Sequence, residues 1–241
     1  NEAYAEFHQV VDRTIKRGGK VIIPSFSVGR TQTLVYFLND LMSSGKLPKV
    51  PVFVDSPLAV SASDIYRRHP ECFDRETWEM ITEYRHPALD FDQLTYTHSV
   101  EESKALNYRD DPMVIISASG MVEAGRILHH VKNNLDDDRN TILIVSWQAP
   151  HTLGRRLAER QREVRIFGET YYRRAQVETI NGLSSHAGQK LLIDYARSVA
   201  GQAKRIILVH GEPQAASALK EKLGQFQDIP PVHFPERLDS F

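Results

Sequence analysis

Two histidines stand where a side chain could take part in chemistry. His210 follows the apolar run 206–209 in the stretch RIILVHGEP, which predicts a buried strand, and His186 lies in NGLSSHAGQ ahead of an amphipathic helical pattern. A histidine at a strand end can bind a metal through one ring nitrogen, and one near a helix start can contact a phosphate or act as a general acid. The alternative for His210 is a structural histidine that hydrogen-bonds to nearby backbone. The alternative for His186 is that a serine caps the helix and the histidine beside it has no role of its own.

Spacing alone does not show a complete metal site. A transition metal needs about three or four protein ligands, yet the histidines form neither an H-x-H nor an H-E-x-x-H pattern. His129 and His130 are adjacent, so on a helix their side chains would diverge by about 100°, and we interpret both as surface or capping residues. The acidic run 136–138 is interpreted as a solvated loop. The single cysteine, Cys72, excludes an intrachain disulfide and a cysteine-built zinc site.

Small and polar residues at three strand-to-helix junctions could bind an anion. Arg30 lies in SFSVGRTQ, Gly120 lies in ASGMVEAGR, and Ser184 or Ser185 could cap the helix that follows His186. Helix N-termini offer free N–H groups to anions, and glycine allows a close backbone approach. Each motif alone is weak, and ordinary tight-turn chemistry is the alternative.

The stretch 155–174 is rich in arginine. It holds seven arginines against three glutamates, with Tyr171 and Tyr172 among them. Guanidinium groups match phosphate oxygens in a two-pronged geometry, and tyrosine rings can stack on bases. Because the whole chain carries a formal charge of −1, this local strip predicts nucleic-acid binding at one surface rather than a wholly basic binder. A solvated, salt-bridged face is the alternative.

The elements that must position these residues alternate between strand and helix. Apolar runs predict strands, helical periodicity predicts helices between them, and 70–112 is irregular and polar apart from short helical pieces such as 75–84. The predicted strands are 20–24, 50–55, 113–119, 141–146, 163–167, 175–180 and 205–210. Runs without strict alternation favour a largely parallel sheet covered on both faces, in which ligands collect where strands end. The motifs above follow those strand ends.

Composition narrows the class of protein. The chain has 241 residues, 41% of them hydrophobic and 25% charged, which is typical of globular domains. No apolar run approaches the roughly 20 residues that span a bilayer, and the polar start NEAYAEFHQ does not resemble a signal peptide. We therefore expect no membrane association and a reducing, cytoplasmic location.

Taken together, the motifs resemble one enzyme family. The stretches GGKVIIPSFSVGRTQTLVYFL, DSPLA, ISASGM…GR, WQAPHTLGRRL, GLSSHAGQ and ILVHGEP occur in the order and spacing of the β-CASP branch of metallo-β-lactamase-fold nucleases. The resemblance covers nearly the whole chain. It implies an α/β fold with a mostly parallel β-sheet flanked by helices, the β-CASP domain, in residues 1–180. Residues 181–241 would supply the C-terminal strands and helices of a metallo-β-lactamase αββα sandwich.

The resemblance also implies roles. His186 matches the motif histidine that contacts the scissile phosphate and assists proton transfer to the leaving group. His210 matches a zinc ligand that DNA-directed members lack, which favours RNA as substrate and metal-assisted phosphodiester hydrolysis as the reaction. The RNA- or phosphate-binding residues would be Arg30, Ser119, Gly120, Arg155, Arg156, Ser184 and Ser185.

The family pattern is incomplete in this sequence. Its H-x-H-x-D-H motif, a later histidine and aspartate, and its acidic motif A are absent. The resemblance therefore implies the C-terminal portion of a ribonuclease that binds two zinc ions when complete, with partial or no zinc in this chain. Its partners would be RNA and the N-terminal half of the nuclease domain. The alternative is a catalytically inactive RNA-binding or scaffold subunit. Homo-oligomerisation and the choice between internal and end-directed cleavage stay open.

One loop departs from the family. Relatives carry an acidic residue and a glycine ahead of the TLG of the fourth motif, where this chain has Pro150 and His151.

Overall fold

Strand and helix alternate along the chain, as the apolar runs predict. The computed structural model describes residues 2–82, 89–184, 186–236 and 239, with the side chains of 76 and 80–82 left aside. It divides into a first unit that ends at Leu183 and a second unit that begins at Ser184.

Among the residues that the structure describes, the first unit carries seven α-helices, one 3₁₀ helix at Pro70–Cys72 and eight strands. The helices are α1 Glu2–Lys16, α2 Arg30–Ser43, α3 Pro57–Arg68, α4 Arg75–Thr82, α5 Val100–Leu106, α6 Ile127–Asn134 and α7 Leu153–Ala158. The strands are β1 Val21–Pro24, β2 Val52–Val54, β3 Leu94–Tyr96, β4 Val114–Ser117, β5 Thr141–Ile144, β6 Glu163–Ile166, β7 Glu169–Tyr172 and β8 Gln176–Thr179.

Six of these strands form one parallel sheet in the order β3-β2-β4-β1-β5-β8. Strand β1 lies centrally, with Val21 opposite Val114 of β4 on one side and Thr141 of β5 on the other. Strands β1, β2, β4 and β5 are fully buried, which explains their continuous apolar runs. The predicted parallel α/β sheet is confirmed.

Helices cover both faces of this sheet. On one face, Val21 and Ile23 pack with Phe7 of α1 and Leu38 of α2. On the other face, alternate strand residues such as Ile115 pack against α5, α6 and α7. Burial of two apolar faces is the main force that holds such a sheet, because roughly 25 cal/mol is gained per Å² of apolar surface removed from water.

Two strands of this unit, β3 and β7, were not predicted, and one predicted strand lies outside the main sheet. Residues 163–167 do form a strand, but β6 pairs antiparallel with β7 in a separate hairpin instead of joining the main sheet. Strand β3 was missed inside the segment 70–112. It is three residues long and only half-buried at the sheet edge, so it carries no apolar run that would indicate a strand.

The second unit has two helices and two short strands in its described part. These are α8 Gln189–Val199, α9 Pro213–Leu223, β9 Ile206–Ile207 and β10 Val232–His233, and β9 pairs in parallel with β10. The strand predicted over 206–209 forms only at Ile206 and Ile207, which pair with β10. The expected burial is not found, since Ile207 is 41% and Val209 is 73% exposed.

Among the described residues, no helix is both long enough and apolar enough to cross a membrane.

Candidate nucleic-acid interface

The loops that follow β1, β4 and β5 pack together at the carboxyl edge of the sheet. A methyl group added at Gly120 would lie 3.3 Å from the backbone nitrogen of Phe26, so the first two loops are in close contact. Gln148 Nε2 donates to the Gly120 carbonyl oxygen at 2.9 Å, and the Gly154 N–H donates to the Met121 carbonyl at 3.1 Å. The loops that carry Arg30, Ser119, Gly120 and the start of α7 therefore share one edge, as the parallel topology predicts.

Arg30 occupies the first position of α2 and is half-buried. Its Nε is buried without a hydrogen-bond partner among the described residues. Burial lowers the pKa of the guanidinium, because the cation has lost water without gaining a counter-charge. The preceding residue, Gly29, has a φ of 79° and contributes no side-chain cap, but the N–H groups of Arg30 and Thr31 donate to the carbonyls of Val28 and Phe26. The feature that an anion would satisfy is therefore the guanidinium of Arg30, which is unpaired within the described residues.

The side chain of Ser119 is partly used inside its own loop. Its Oγ accepts a hydrogen bond from the Glu123 N–H at 3.3 Å, and its backbone N–H donates to the Ala124 carbonyl at 3.1 Å. Gly120 is buried, and its contact with Phe26 leaves little space for a side chain. Both residues therefore shape the loop, and the role of each in phosphate binding stays a prediction.

Arg155 and Arg156 lie on α7, which Thr152 caps by accepting the Arg155 N–H at 3.1 Å. Arg155 Nε donates to Glu159 Oε1 at 2.7 Å, whereas the guanidinium of Arg156 has no partner among the described residues. Arg155 also lines a cavity of about 250 Å³ together with Trp147, whose ring is 58% exposed. Sequence reasoning missed Trp147, although an exposed tryptophan beside arginines is typical of base-stacking sites.

The rest of the arginine-rich stretch is more fully paired than its composition suggests. Arg160 pairs with Glu178 at 3.3 Å, and Arg174 pairs with Asp138 at 3.7 Å. Arg173 donates to three backbone carbonyls, those of residues 160, 161 and 175. The basic strip therefore combines a salt-bridged face with a smaller number of available cations.

Only one of the two tyrosines in this stretch is available for stacking. The hydroxyl of Tyr171 donates to Glu169, and Lys132 Nζ lies 5.4 Å from the centre of its ring. The ring also packs against the apolar core on the face of the sheet that α5, α6 and α7 cover. Tyr172 is exposed.

A buried polar network lies beneath the same edge and was missed by sequence reasoning. Asp55, directly after β2, accepts hydrogen bonds from His130 Nε2 at 2.5 Å, Ser103 Oγ at 2.6 Å, Arg126 Nη1 at 2.7 Å and the hydroxyl of Thr97. Asp55 and His130 are fully buried, so the interpretation of His130 as a surface or capping residue was wrong. The signal was the position of Asp55 itself, an acid that ends an apolar strand in DSPLA.

The network keeps Asp55 ionised. Burial opposes the charge, but the hydrogen bonds from His130, Ser103 and Thr97 outweigh it and hold the pKa of Asp55 well below its usual range. The result is a fixed anion that joins β2, the end of β3, α5, α6 and the loop after β4. Arg126 is thereby held between Asp55 and the His98 carbonyl, which accepts from Nη2 at 3.3 Å.

The loop that departs from the family has a local explanation. His151 has a φ of 70°, the left-handed conformation that favours glycine. Histidine tolerates this conformation better than most residues, so the chain keeps the backbone that a glycine would give.

In the second unit, Ser184 does not cap α8 as one reading of the sequence suggested. The helix begins at Gln189 after Gly188, with no side-chain cap, and Ser184 Oγ instead accepts the His186 N–H at 3.1 Å. Ser184 therefore fixes the turn that carries His186, which is exposed. Ser185 lies outside the described residues.

His210 is exposed and has a φ of 63°. It precedes α9, which begins with Pro213 at its first turn. The backbone turn thus presents the imidazole to solvent near a helix start.

Comparison with known families identifies the fold. The Beta-Casp domain matches residues 31–157, and a domain described as the Zn-dependent metallo-hydrolase RNA specificity domain matches residues 170–234. The first match covers β2 to β5 and nearly all of α2 to α7, whereas β1 and Arg30 lie just before it. The chain belongs to the β-CASP family.

Curated relatives agree with the β-CASP assignment. Ribonuclease TTHA0252 of Thermus thermophilus is 36% identical over 98% of this chain, which covers 53% of that protein. The transcription termination factor FttA of Pyrococcus abyssi is 34% identical over 92% of this chain and 36% of that protein. FttA of Methanocaldococcus jannaschii is 34% identical over 88% of this chain and 34% of that protein. The chain thus spans between about a third and about half of the length of these relatives.

The second matched domain implies zinc, but this β-CASP chain does not by itself present a zinc site. Within the described ranges, no group of three or more His, Cys, Asp or Glu side chains could hold a metal ion. His210 is exposed and belongs to no such group among the described residues. The residues present therefore do not fit a complete dinuclear centre.

Proposed function

We propose that this chain is the RNA-gripping part of a zinc-dependent ribonuclease and does not cleave RNA by itself. Membership of the β-CASP family and the match to an RNA specificity domain support RNA as the ligand. The described residues contain no group that could hold a metal ion. This supports the proposal that the metal site needs residues beyond those described.

Arg30 carries the proposal. Its half-buried guanidinium has an Nε without a partner in the described structure, and it lies at the carboxyl edge where parallel α/β sheets bind ligands. A guanidinium that has lost water without gaining a partner is destabilised, and a bound anion would stabilise it. An RNA phosphate supplies two oxygens in the geometry that a guanidinium matches.

Arg156 and Trp147 extend this surface. The guanidinium of Arg156 lacks a partner among the described residues, and Trp147 is exposed beside Arg155 in the 250 Å³ cavity. A cation grips the backbone and an indole stacks on a base, which together bind a single strand with little sequence preference. Ser119 and Gly120 shape the adjoining loop.

His186 and His210 have separate proposed roles. We assign His186 to contact the scissile phosphate and to donate a ring proton to the leaving oxygen, and its exposure in the Ser184 turn is compatible with this role. His210 is assigned as one zinc ligand of the complete enzyme. Ser184 and Ser185 are assigned to the phosphate-binding turn.

The second unit has an apolar surface that suits the proposed partner, the remainder of the nuclease domain. Leu191, Tyr195 and Val209 are each at least 60% exposed. Helix α8 buries only Ala196, so its apolar face is free within the described residues of the unit. The relatives' greater length is consistent with a further segment that covers this face.

RNA binding tests the proposal. Fluorescence anisotropy with a labelled single-stranded RNA should show binding by the chain and a roughly 10- to 100-fold weaker affinity for Arg30→Ala, the range expected for the loss of a charged hydrogen bond. Arg30→Lys should recover only part of the affinity, because lysine lacks the guanidinium fork. Arg75→Ala is the matched control, since Arg75 is 91% exposed and pairs with Glu79. No binding, or equal losses for Arg30→Ala and the control, would contradict the proposal.

A cleavage assay tests whether the chain needs further residues to cleave RNA. The chain with zinc and RNA should give no chelator-sensitive products, whereas a longer protein with an intact H-x-H-x-D-H motif should cleave. Robust cleavage by the 241-residue chain would overturn the proposal that it is incomplete.

A further inference from the structure

A second cavity opens on the flank of the first unit, between α5, α6 and the tip of the β6–β7 hairpin. Its volume is about 600 Å³. Small-molecule sites span about 300–1,000 Å³, so the cavity could hold one nucleotide. The described residues that line it include Lys104, Arg126 and His129 but no carboxylate. The cavity therefore favours an anionic ligand.

Phe167 at the hairpin tip is an unusual residue type for its turn. Ile166 pairs with Glu169, which leaves a two-residue loop, and Phe167 and Gly168 both have positive φ, at 53° and 83°. Such loops favour Asn-Gly, and a bulky residue in the left-handed region costs about 1–2 kcal/mol. Burial of the ring does not offset this cost, because Phe167 stays 54% exposed. Residues that disagree with the local turn preference and gain no burial are most often found at functional sites.

The ring of Phe167 faces the cavity beside two other rings. Its centroid lies 4.8 Å from that of His129, with the planes tilted by 38°. Tyr108, on the opposite element, also lines the cavity and is almost fully exposed. Flat rings on the walls of a cavity are suited to hold a planar heterocycle, such as a base.

The cations of the cavity are of two kinds. The ammonium group of Lys104 has no hydrogen bond or ion pair among the described residues, so its charge is available to a ligand. Arg126 is held in place by Asp55 at 2.7 Å and by the His98 carbonyl at 3.3 Å. The cavity that the aromatic rings border is thus lined by one unpaired cation, Lys104, and one paired cation, Arg126.

We propose that this cavity binds one nucleotide of single-stranded RNA, with the base stacked on Phe167 and the phosphate on Lys104. The inference rests on the proposed RNA-binding function and adds a subsite to it. A free nucleotide has the same chemistry, but the cavity opens to solvent beside exposed rings, which suits a continuous strand.

The test uses the 241-residue chain and a labelled twelve-nucleotide RNA. Phe167→Asn removes the ring and suits the turn, so it should weaken binding about 5- to 100-fold, as expected for the loss of one base–aromatic stack. Phe167→Tyr keeps a ring and should retain the affinity. Lys104→Ala should lower the salt dependence of binding by about one phosphate contact, a slope change of about 0.7. Lys49→Ala is the matched control, because Lys49 is exposed and lies outside the cavity.

A second measurement does not depend on substitutions. Photocrosslinking of the chain to 4-thiouridine RNA should label peptides that contain Phe167 or Tyr108. If Arg30→Ala weakens RNA binding while Phe167→Asn and Lys104→Ala do not, the subsite is excluded and the proposed function stands. If the chain binds no RNA, both fail. Displacement of a fluorescent AMP analogue by AMP, without competition by RNA, would overturn the RNA assignment in favour of a free nucleotide.

Discussion

The Nε2 atom of His130 lies 2.5 Å from Oδ2 of Asp55, and both side chains are fully buried. The other ring nitrogen of His130 lies 3.0 Å from Asn107 Oδ1. The same carboxylate accepts from Arg126, Ser103 and Thr97, so one buried anion orients groups on four segments of the chain. Loss of Asp55 would leave the buried side chains of His130 and Ser103 without this acceptor.

Substitution Asp55→Asn should therefore destabilise the chain strongly. Removal of one partner from a buried ionic network costs about 3–5 kcal/mol, because the remaining charges stay desolvated. Urea unfolding monitored by circular dichroism measures the change. Asp64→Asn is the control, since Asp64 pairs with Arg67 at the surface and should change the free energy of unfolding by about 1 kcal/mol or less. A similar small effect for Asp55→Asn would show that the network adds little.

The same network predicts how stability depends on pH. The pKa of Asp55 in the folded chain lies well below its usual range, whereas in the unfolded chain it returns to about 3.9. Folding therefore favours the ionised form, and this contribution is present above about pH 5 and declines as pH falls below about 4. The gap in unfolding free energy between the wild type and Asp55→Asn should be constant from pH 5 to 7 and shrink in acid. A gap that grows in acid would contradict the assignment.

The double substitution Arg155→Ala and Arg156→Ala should weaken RNA binding and flatten its salt dependence. Each lost phosphate contact lowers the logarithmic salt slope by about 0.7 for a single strand, so the double variant should lose about 0.7 to 1.4. Binding measured between 50 and 200 mM salt gives the slope. The double variant of Arg13 and Arg75 removes the same charge from two exposed ion pairs and serves as the control. An unchanged slope would assign Arg155 and Arg156 to solvated surface.

Replacement of His151 by glycine should stabilise the chain. The φ of 70° at His151 is strained for a side chain, and its relief is worth about 0.5–1 kcal/mol after the greater chain entropy of glycine is counted. Thermal unfolding measures the effect. His8→Gly provides the opposite case, because His8 lies within α1, where glycine costs about 1 kcal/mol. Destabilisation by His151→Gly would show that the imidazole itself supports the loop.

Much of the fold follows from local pattern. Phe7, Val11 and Ile15 recur at helical spacing, and all three are buried on one face of α1. The continuous apolar run of β1 predicts a strand covered on both faces, which the structure confirms. The shortest strands cannot be predicted from local pattern. Strand β3 has two half-buried residues and one exposed residue, and β9 pairs over only two residues, so neighbouring elements rather than side-chain pattern determine these strands.

The candidate site divides in the same way. The sequence alone determined which residue types stand at the strand ends, and hence that Arg30, Gly120 and Arg155 share an edge of a parallel sheet. Only the tertiary structure decided which charges are available: it leaves Arg30 Nε without a partner in the described chain, pairs Arg155 with Glu159 and buries His130 against Asp55. The physical reason is that Asp55 and His130 are 75 residues apart, and desolvation and pairing depend on neighbours that no local pattern specifies.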